Sequence, residues 1–320
     1  MEAGPQPEEP LAWSNVAIAA ALLLINGIIS IYMGLNLEWS LIISGTRSIV
    51  QLTLMGMVLE DVFKTRNPFV IFGMATVLVL LGAYETTFNK SKRRHTGMFL
   101  SVLVSMFSST LLIGLIGNAF AMNVSPVWTA HKFIPTLGML LGNCMTGMAL
   151  GISSCLTQFC DNKERLEMTL GLGATRWEAG RPVAVEAIRV AMLPTINSMS
   201  VMGLISIPGM MTGQILGGAP VMDAVKYQQI IMFMIAASTS LGTLGAVLTC
   251  IVICLDSNHR LRLDRIYNAG KGSNSGWTLF KNIFPTSKAR SSEPENKALL
   301  AKVRSYGGLS ERGASTSVQI

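Results

Sequence analysis

Stretches of about twenty apolar residues recur along the chain between short polar connections, each long enough to cross a hydrocarbon core of about 30 Å as a helix. They predict seven spans: about Asn15 to Gly34, Ser40 to Leu59, Pro68 to Phe88, Gly97 to Phe120, Ile134 to Leu156, Ala187 to Ile207 and Gln229 to Leu255. Only a few residues, Asn36 and Glu38 among them, separate the first two, which predicts a tight helical hairpin. Backbone groups in lipid must find partners within their own segment, so the spans are expected to be helices of one all-α polytopic membrane bundle.

Composition agrees with this pattern: half of the 320 residues are hydrophobic and 13% are charged, the balance of an integral multi-pass protein rather than a soluble core. The bases are unevenly placed. Lys90, Lys92, Arg93 and Arg94 lie between spans three and four, Lys163, Arg165, Arg176 and Arg181 between five and six, and Arg260, Arg262 and Arg265 follow the last span. Short loops rich in Lys and Arg stay cytosolic. The other side holds Lys64 and Arg66, Lys132 and Lys226, and the N-terminus carries Glu2, Glu8 and Glu9, so it is expected outside or in a lumen with the C-terminus in the cytosol. The acidic flank and length of the first span argue for a retained anchor over a cleaved signal. Three regions follow: a polar acidic N-terminus (1–14), a membrane domain (15–257) with a cytosolic loop at about 160–186, and an irregular basic tail (258–320) whose arginines can meet anionic lipid heads. Plasma and organellar membranes both fit.

The loop between spans five and six carries a helix start. Thr175 and Glu178 have capping-box spacing, the hydroxyl and carboxylate each serving a free backbone donor. Gly171 and Gly173 favour a break just before it, and Arg176 and Trp177 then project from the first turn. A short amphipathic element on the membrane surface is a knob that a soluble partner can grip.

Polar groups within the spans are candidate pathway or gate residues, because hydrocarbon does not tolerate them unpartnered. Arg47 and Gln51 are one turn apart in the second span. The fifth has Asn143 beside two small-residue pairs, Gly138 with Gly142 and Gly147 with Gly151, which suit close helix packing. The sixth has Pro194, which frees a carbonyl and can bend the helix, and Asn197. Pro208 to Gly218 interrupts the helical pattern on the outer side and offers Met210, Met211, Thr212 and Gln214 as an outer gate or substrate-facing element, or an ordinary turn.

Twenty methionines and five cysteines raise the question of a soft metal, but the cysteines lack metal-site spacing and Met also fills helical interfaces, so no metal site is expected. His95, His131 and His259 read as isolated loop residues. No paired carboxylates and no nucleophile with a base stand together, which argues against an enzyme.

Glu167 with Gly173 six positions on, followed by Ala174 and Thr175, resembles the EAA loop of ABC importer permeases, with Met168 and Thr169 in place of the two alanines and Glu186 at the distal proline position. The runs Ala187-Ile188-Arg189, Leu193-Pro194-Thr195, Gly203 to Gly213 and Asp223 to Gln228, with Gly45 to Leu52 and Ile134-Pro135 through Gly142-Asn143, are similar to the FetB family of ABC permeases, over about residues 15 to 257. The resemblance implies an ATP-driven permease subunit for a metal ion such as iron or a small metabolite such as a nucleotide sugar. It further implies a homodimer, and a separate ATP-binding subunit that carries ATP and Mg and is gripped by Glu167, Gly173, Thr175, Arg176, Trp177 and Glu178. No Gly-x-x-x-x-Gly-Lys-Ser/Thr loop occurs, and Gly270-Lys271-Gly272-Ser273 is a fragment only. A membrane scaffold for a cytosolic ATPase is the alternative. No nucleic-acid partner is expected.

Overall fold

The computed structural model describes residues 13–268, apart from 36, 65–66, 92 and 257. The acidic residues of the N-terminus, Asn36, Arg66, Lys92 and the tail beyond 268 fall outside the described residues. Nine α-helices lie within them: α1 (Trp13–Met33), α2 (Glu38–Lys64), α3 (Pro68–Glu85), α4 (Met98–Ile116), α5 (Ala130–Asp161), α6 (Lys163–Gly171), α7 (Arg176–Val201), α8 (Gly209–Leu216) and α9 (Val221–Cys254). α3 and α4 each end in a π-helical turn, Thr86–Lys90 and Gly117–Ala121.

The chain is a polytopic helical membrane protein. Six of its helices, α1, α2, α3, α4, α5 and α9, are long and apolar enough to cross a membrane. α7, at the place of the expected sixth span, has 26 residues and a length of about 39 Å. Glu178, Arg181, Glu186 and Arg189 dilute its apolar character.

α5, α7 and α9 form the centre, with α4 against α5 and α9, and α3 outside α4 and α5. Small residues let them approach. A Cβ at Gly147 would lie 2.5 Å from Thr239 Cγ2, and one at Gly151 would lie 2.8 Å from Thr243 Cγ2, so this pair of α5 holds α9 and α7 close. Gly138 and Gly142, the other pair on α5, face open space. α1 and α2 form the expected hairpin, closed by Ser30, whose hydroxyl accepts from Leu37 N–H and donates to Glu38, both at 2.9 Å.

The three basic segments gather at one end of the bundle. After α9 the chain turns back and its strand β2 (Ile266–Asn268) pairs antiparallel with β1 (Arg93–His95), while His259 reaches the first turn of α7. This agrees with the expectation that all three face one side, and it changes the expected tail: residues up to 268 are folded onto the bundle instead of irregular. Backbone hydrogen bonds of the strand pair and of Arg262 N–H to the Cys254 carbonyl hold them there.

Candidate permeation and coupling sites

At the basic end, α6 closes on Gly171 and the chain turns through Gly173 at φ +92°, a conformation that favours glycine. α7 then starts with the expected capping box: Glu178 N–H donates to Thr175 Oγ1, and Thr175 N–H and hydroxyl both donate to Glu178 Oε2 at 2.8 Å. These donors from Thr175 hold the Glu178 carboxyl below the usual glutamate range. The expected short surface helix is not a separate element. α7 runs unbroken from Arg176 through Pro182 to Val201, over the segment expected as the sixth span, because Ala179, Gly180, Val183 and Ala184 are buried in the core, Gly180 against Ile251 of α9. Glu167 on α6 and the large apolar side chains of Met168, Leu172 and Trp177 are exposed, and the half-buried Arg176 places its guanidinium 5.3 Å from the Trp177 ring centroid. Leu166 is buried and anchors α6 to the same core.

A second group lies along the membrane-spanning part. Arg47 on α2 donates to both carboxylate oxygens of Glu85 on α3, at 2.7 and 3.3 Å, and Asn89 adds a third donor at 2.6 Å. Glu85 stands five residues before the end of the apolar span Pro68–Lys90, so this pair sits inside the span and not beyond it. Lys90 donates to Thr146 Oγ1 on α5 at 3.2 Å. Thr146 in turn lines a cleft of about 60 Å³ with Asn143, Pro194, Thr195 and Ser198. The cleft sits where α7 carries Pro194, whose ring leaves the carbonyl one turn earlier without its helical partner.

A continuous polar face thus runs from α2 over α3 and α5 to α7. Arg47, Asn143, Thr146 and Ser198 on it are exposed in the single chain. A charge at mid-membrane against lipid costs about 2.5–3.5 kcal/mol, so this face needs water or protein against it.

Of the sequence-derived candidates, Asn143 and Pro194 meet in the cleft. Arg47 lies on the same face through Glu85 and Lys90, and Gln51 is exposed one turn further along α2. Asn197 is exposed on α7 outside the cleft, where Thr195 and Ser198 stand instead. Met210, Met211, Thr212 and Gln214 are at the opposite end of the bundle. The expected breaker segment there is mostly a two-turn helix, α8, capped by Pro208 and ended by Gly217 and Gly218, the last at φ +85°. Glycine and proline bound this helix and do not dissolve it. Sequence reading missed Glu85 and Thr195, and took Lys90 only as a loop charge. It also missed His259, which accepts from Arg176 N–H, and His95, which is fully buried on β1 opposite Ile266 of β2. Burial pushes the His95 imidazole below its ordinary pKa. Cys144, Cys155, Cys250 and Cys254 are buried free thiols in the helical core.

Six apolar helices long enough to cross a membrane define a multi-pass membrane protein. The chain belongs to the family described as Uncharacterised protein family (UPF0014), whose model matches residues 13–254. It is 32% identical over 241 residues to the UPF0014 membrane protein slr1647 of Synechocystis, covering 75% of this chain and 90% of that one. It is 28% identical to the Probable iron export permease protein FetB of Escherichia coli (77% of this chain, 93% of that one) and 29% identical to Protein ALUMINUM SENSITIVE 3 of Arabidopsis thaliana (73% and 84%). No solved structure matches.

Proposed function

We propose that this chain is the membrane subunit of an ATP-driven permease, working as a pair of identical chains with a separate ATP-binding subunit that handles ATP and Mg. The observation that carries the reading is the polar face from Arg47 to Ser198 on helices that are otherwise apolar. A second copy laid against it would enclose a path that neither chain encloses alone, and would remove the cost of presenting Arg47 to lipid.

The ATP-binding subunit grips the basic end in the cytosol. Met168, Leu172 and Trp177 offer it an apolar contact outside the spans, framed by Glu167, Arg176 and Glu178, and apolar cores with charged rims are how such interfaces are built. Because α7 is one helix from Arg176 to Val201, with Pro182 inside it, movement of its first turn carries along the helix to Pro194 and the cleft. The cargo is a metal ion such as iron, the substrate in the name of the E. coli relative, or a small metabolite such as a nucleotide sugar. Basic loops at the same end suit anionic lipid headgroups.

The test is co-purification of the chain with its ATPase, followed by reconstitution in liposomes. The reading expects cargo-stimulated ATP hydrolysis and vectorial transport, both lost when Arg176, Trp177 and Glu178 are replaced by alanine. ATPase binding without any transport would mark the chain as a scaffold and overturn the reading.

A further inference from the structure

The stretch after α9 lies just past the residues matched by the family model, which end at 254. It folds tightly all the same. Leu255 and Leu261 form an antiparallel bridge, Asp256 N–H donates to the Arg260 carbonyl at 3.0 Å, and the Asp256 carboxylate stands 3.5 Å from Arg262 Nε. His259 sits at the tip with φ +52°, a left-handed conformation that non-glycine residues adopt only when their surroundings require it.

What His259 does there is specific. Its Nδ1 accepts from the backbone N–H of Arg176 at 3.1 Å. That N–H belongs to the first residue of α7, one of the donors a helix cannot satisfy by itself. The capping box serves Glu178 N–H and Thr175 N–H and leaves this donor over, so the histidine supplies the missing acceptor from a segment 83 residues away in sequence.

From His259 the bonded chain continues. Arg265 donates through Nη1 to the Ile253 carbonyl at 2.9 Å, Thr96 N–H donates to the Arg265 carbonyl at 3.1 Å, β2 pairs with β1 over Ile266–Asn268, and the Tyr267 hydroxyl donates to the His95 carbonyl at 3.3 Å. β1 begins three residues after Lys90, which ends the π-helical turn and whose ammonium donates to Thr146 at the cleft.

We infer that residues 255–256 and 258–268 form a clip joining the first turn of α7 to the cleft end of α3, with His259 as the positioning residue that seats α7. Resting on the coupling reading above, the clip gives the docking surface a second connection to the polar face, through Lys90, beside the direct one through the body of α7. The connection is physical: hydrogen bonds carry it from α7 to β1, and the chain itself joins β1 to the turn that holds Lys90, so these elements can separate as one unit.

The test is hydrogen–deuterium exchange on the full chain in lipid nanodiscs, following peptides over 93–96, 175–180 and 266–268. His259→Ala should speed exchange in all three by about threefold to tenfold, the equilibrium equivalent of one ordinary hydrogen bond. His259→Gln keeps an acceptor at the tip and should stay within about twofold of the wild type under the same reasoning, which separates lost acceptance from misfolding. Faster exchange at 175–180 alone, with 93–96 and 266–268 unchanged, overturns the clip, as does an alanine variant with no change anywhere. If exchange follows the expected pattern while cargo-stimulated ATP hydrolysis is untouched by His259→Ala, the clip stands as a structural unit but its link to transport is overturned. Loss of transport in the Arg176, Trp177 and Glu178 variant is read independently of both.

Discussion

α2 and α5 are both apolar enough to cross a membrane, yet none of the most apolar 18-residue window of α2 is buried in the chain, against 56% of that of α5. α5 is held on several sides by α3, α4, α7 and α9, whereas α2 and its partner α1 form a hairpin joined to the rest mainly at one edge. Hydropathy therefore says which segments enter the membrane and not what each does there. The difference is carried by small and polar residues: α5 presents Gly147 and Gly151 to its neighbours, while α2 presents Arg47 to Glu85 and leaves most of its surface exposed.

The widest gap between the two regions should appear on adding a single methyl group. Gly147→Ala places a Cβ 2.5 Å from Thr239 Cγ2, and should lower stability by about 1–3 kcal/mol in detergent unfolding. Gly56→Ala on α2 meets nothing within 4 Å, and should leave stability unchanged or slightly raised through better helix propensity. Equal losses at the two sites would break the contrast.

Next in size is the link between the regions. Arg47→Ala leaves Glu85 inside the span without its guanidinium, and a charge stranded there costs up to about 2.5–3.5 kcal/mol. Restoring neutrality with Glu85→Gln in the same chain should recover part of the lost melting temperature while transport stays impaired. If the double variant is less stable than Arg47→Ala alone, the pair is not what ties the hairpin to α3.

The smallest effect concerns the coupling end. The Glu178 carboxyl is held below its ordinary range by Thr175 donors, so its cap contribution is complete above the ordinary glutamate range and is lost as pH falls through the lowered value. Circular dichroism or exchange at residues 175–180 should show the first turn of α7 loosening only at acid pH; Thr175→Ala, which loses the hydroxyl but keeps the backbone donor, should weaken that pH dependence, and Glu178→Gln should remove it.

Long periodic stretches made the spans legible, and the Thr175 and Glu178 spacing made the start of α7 legible to the residue. The end of that reading was less good, since apolar burial of Ala179 to Ala184 continues the helix through Pro182, where local charge pointed to a surface element. Proline and glycine likewise bounded α8 at Pro208 and Gly217 where they read as breakers. The polar face was legible only in part. Asn143, Pro194 and Arg47 stood out as polar or irregular residues in apolar runs, but Glu85 and Lys90 lay at the margin of their span, and only three-dimensional pairing brings them to Arg47 and Thr146. His259 carried no signal at all, because its partner is a backbone N–H 83 residues away.

On the proposed function, the face from Arg47 to Ser198 meets water in the membrane while the α1 face meets lipid. Single cysteines at Thr146, Ser198 and Leu22, in a Cys160→Ser background, tested in membranes with a charged, membrane-impermeant thiol reagent, measure this directly. Thiolate chemistry needs water, so labelling at Thr146→Cys and Ser198→Cys should be at least about tenfold faster than at Leu22→Cys. Labelling of all three at the same slow rate would contradict the account.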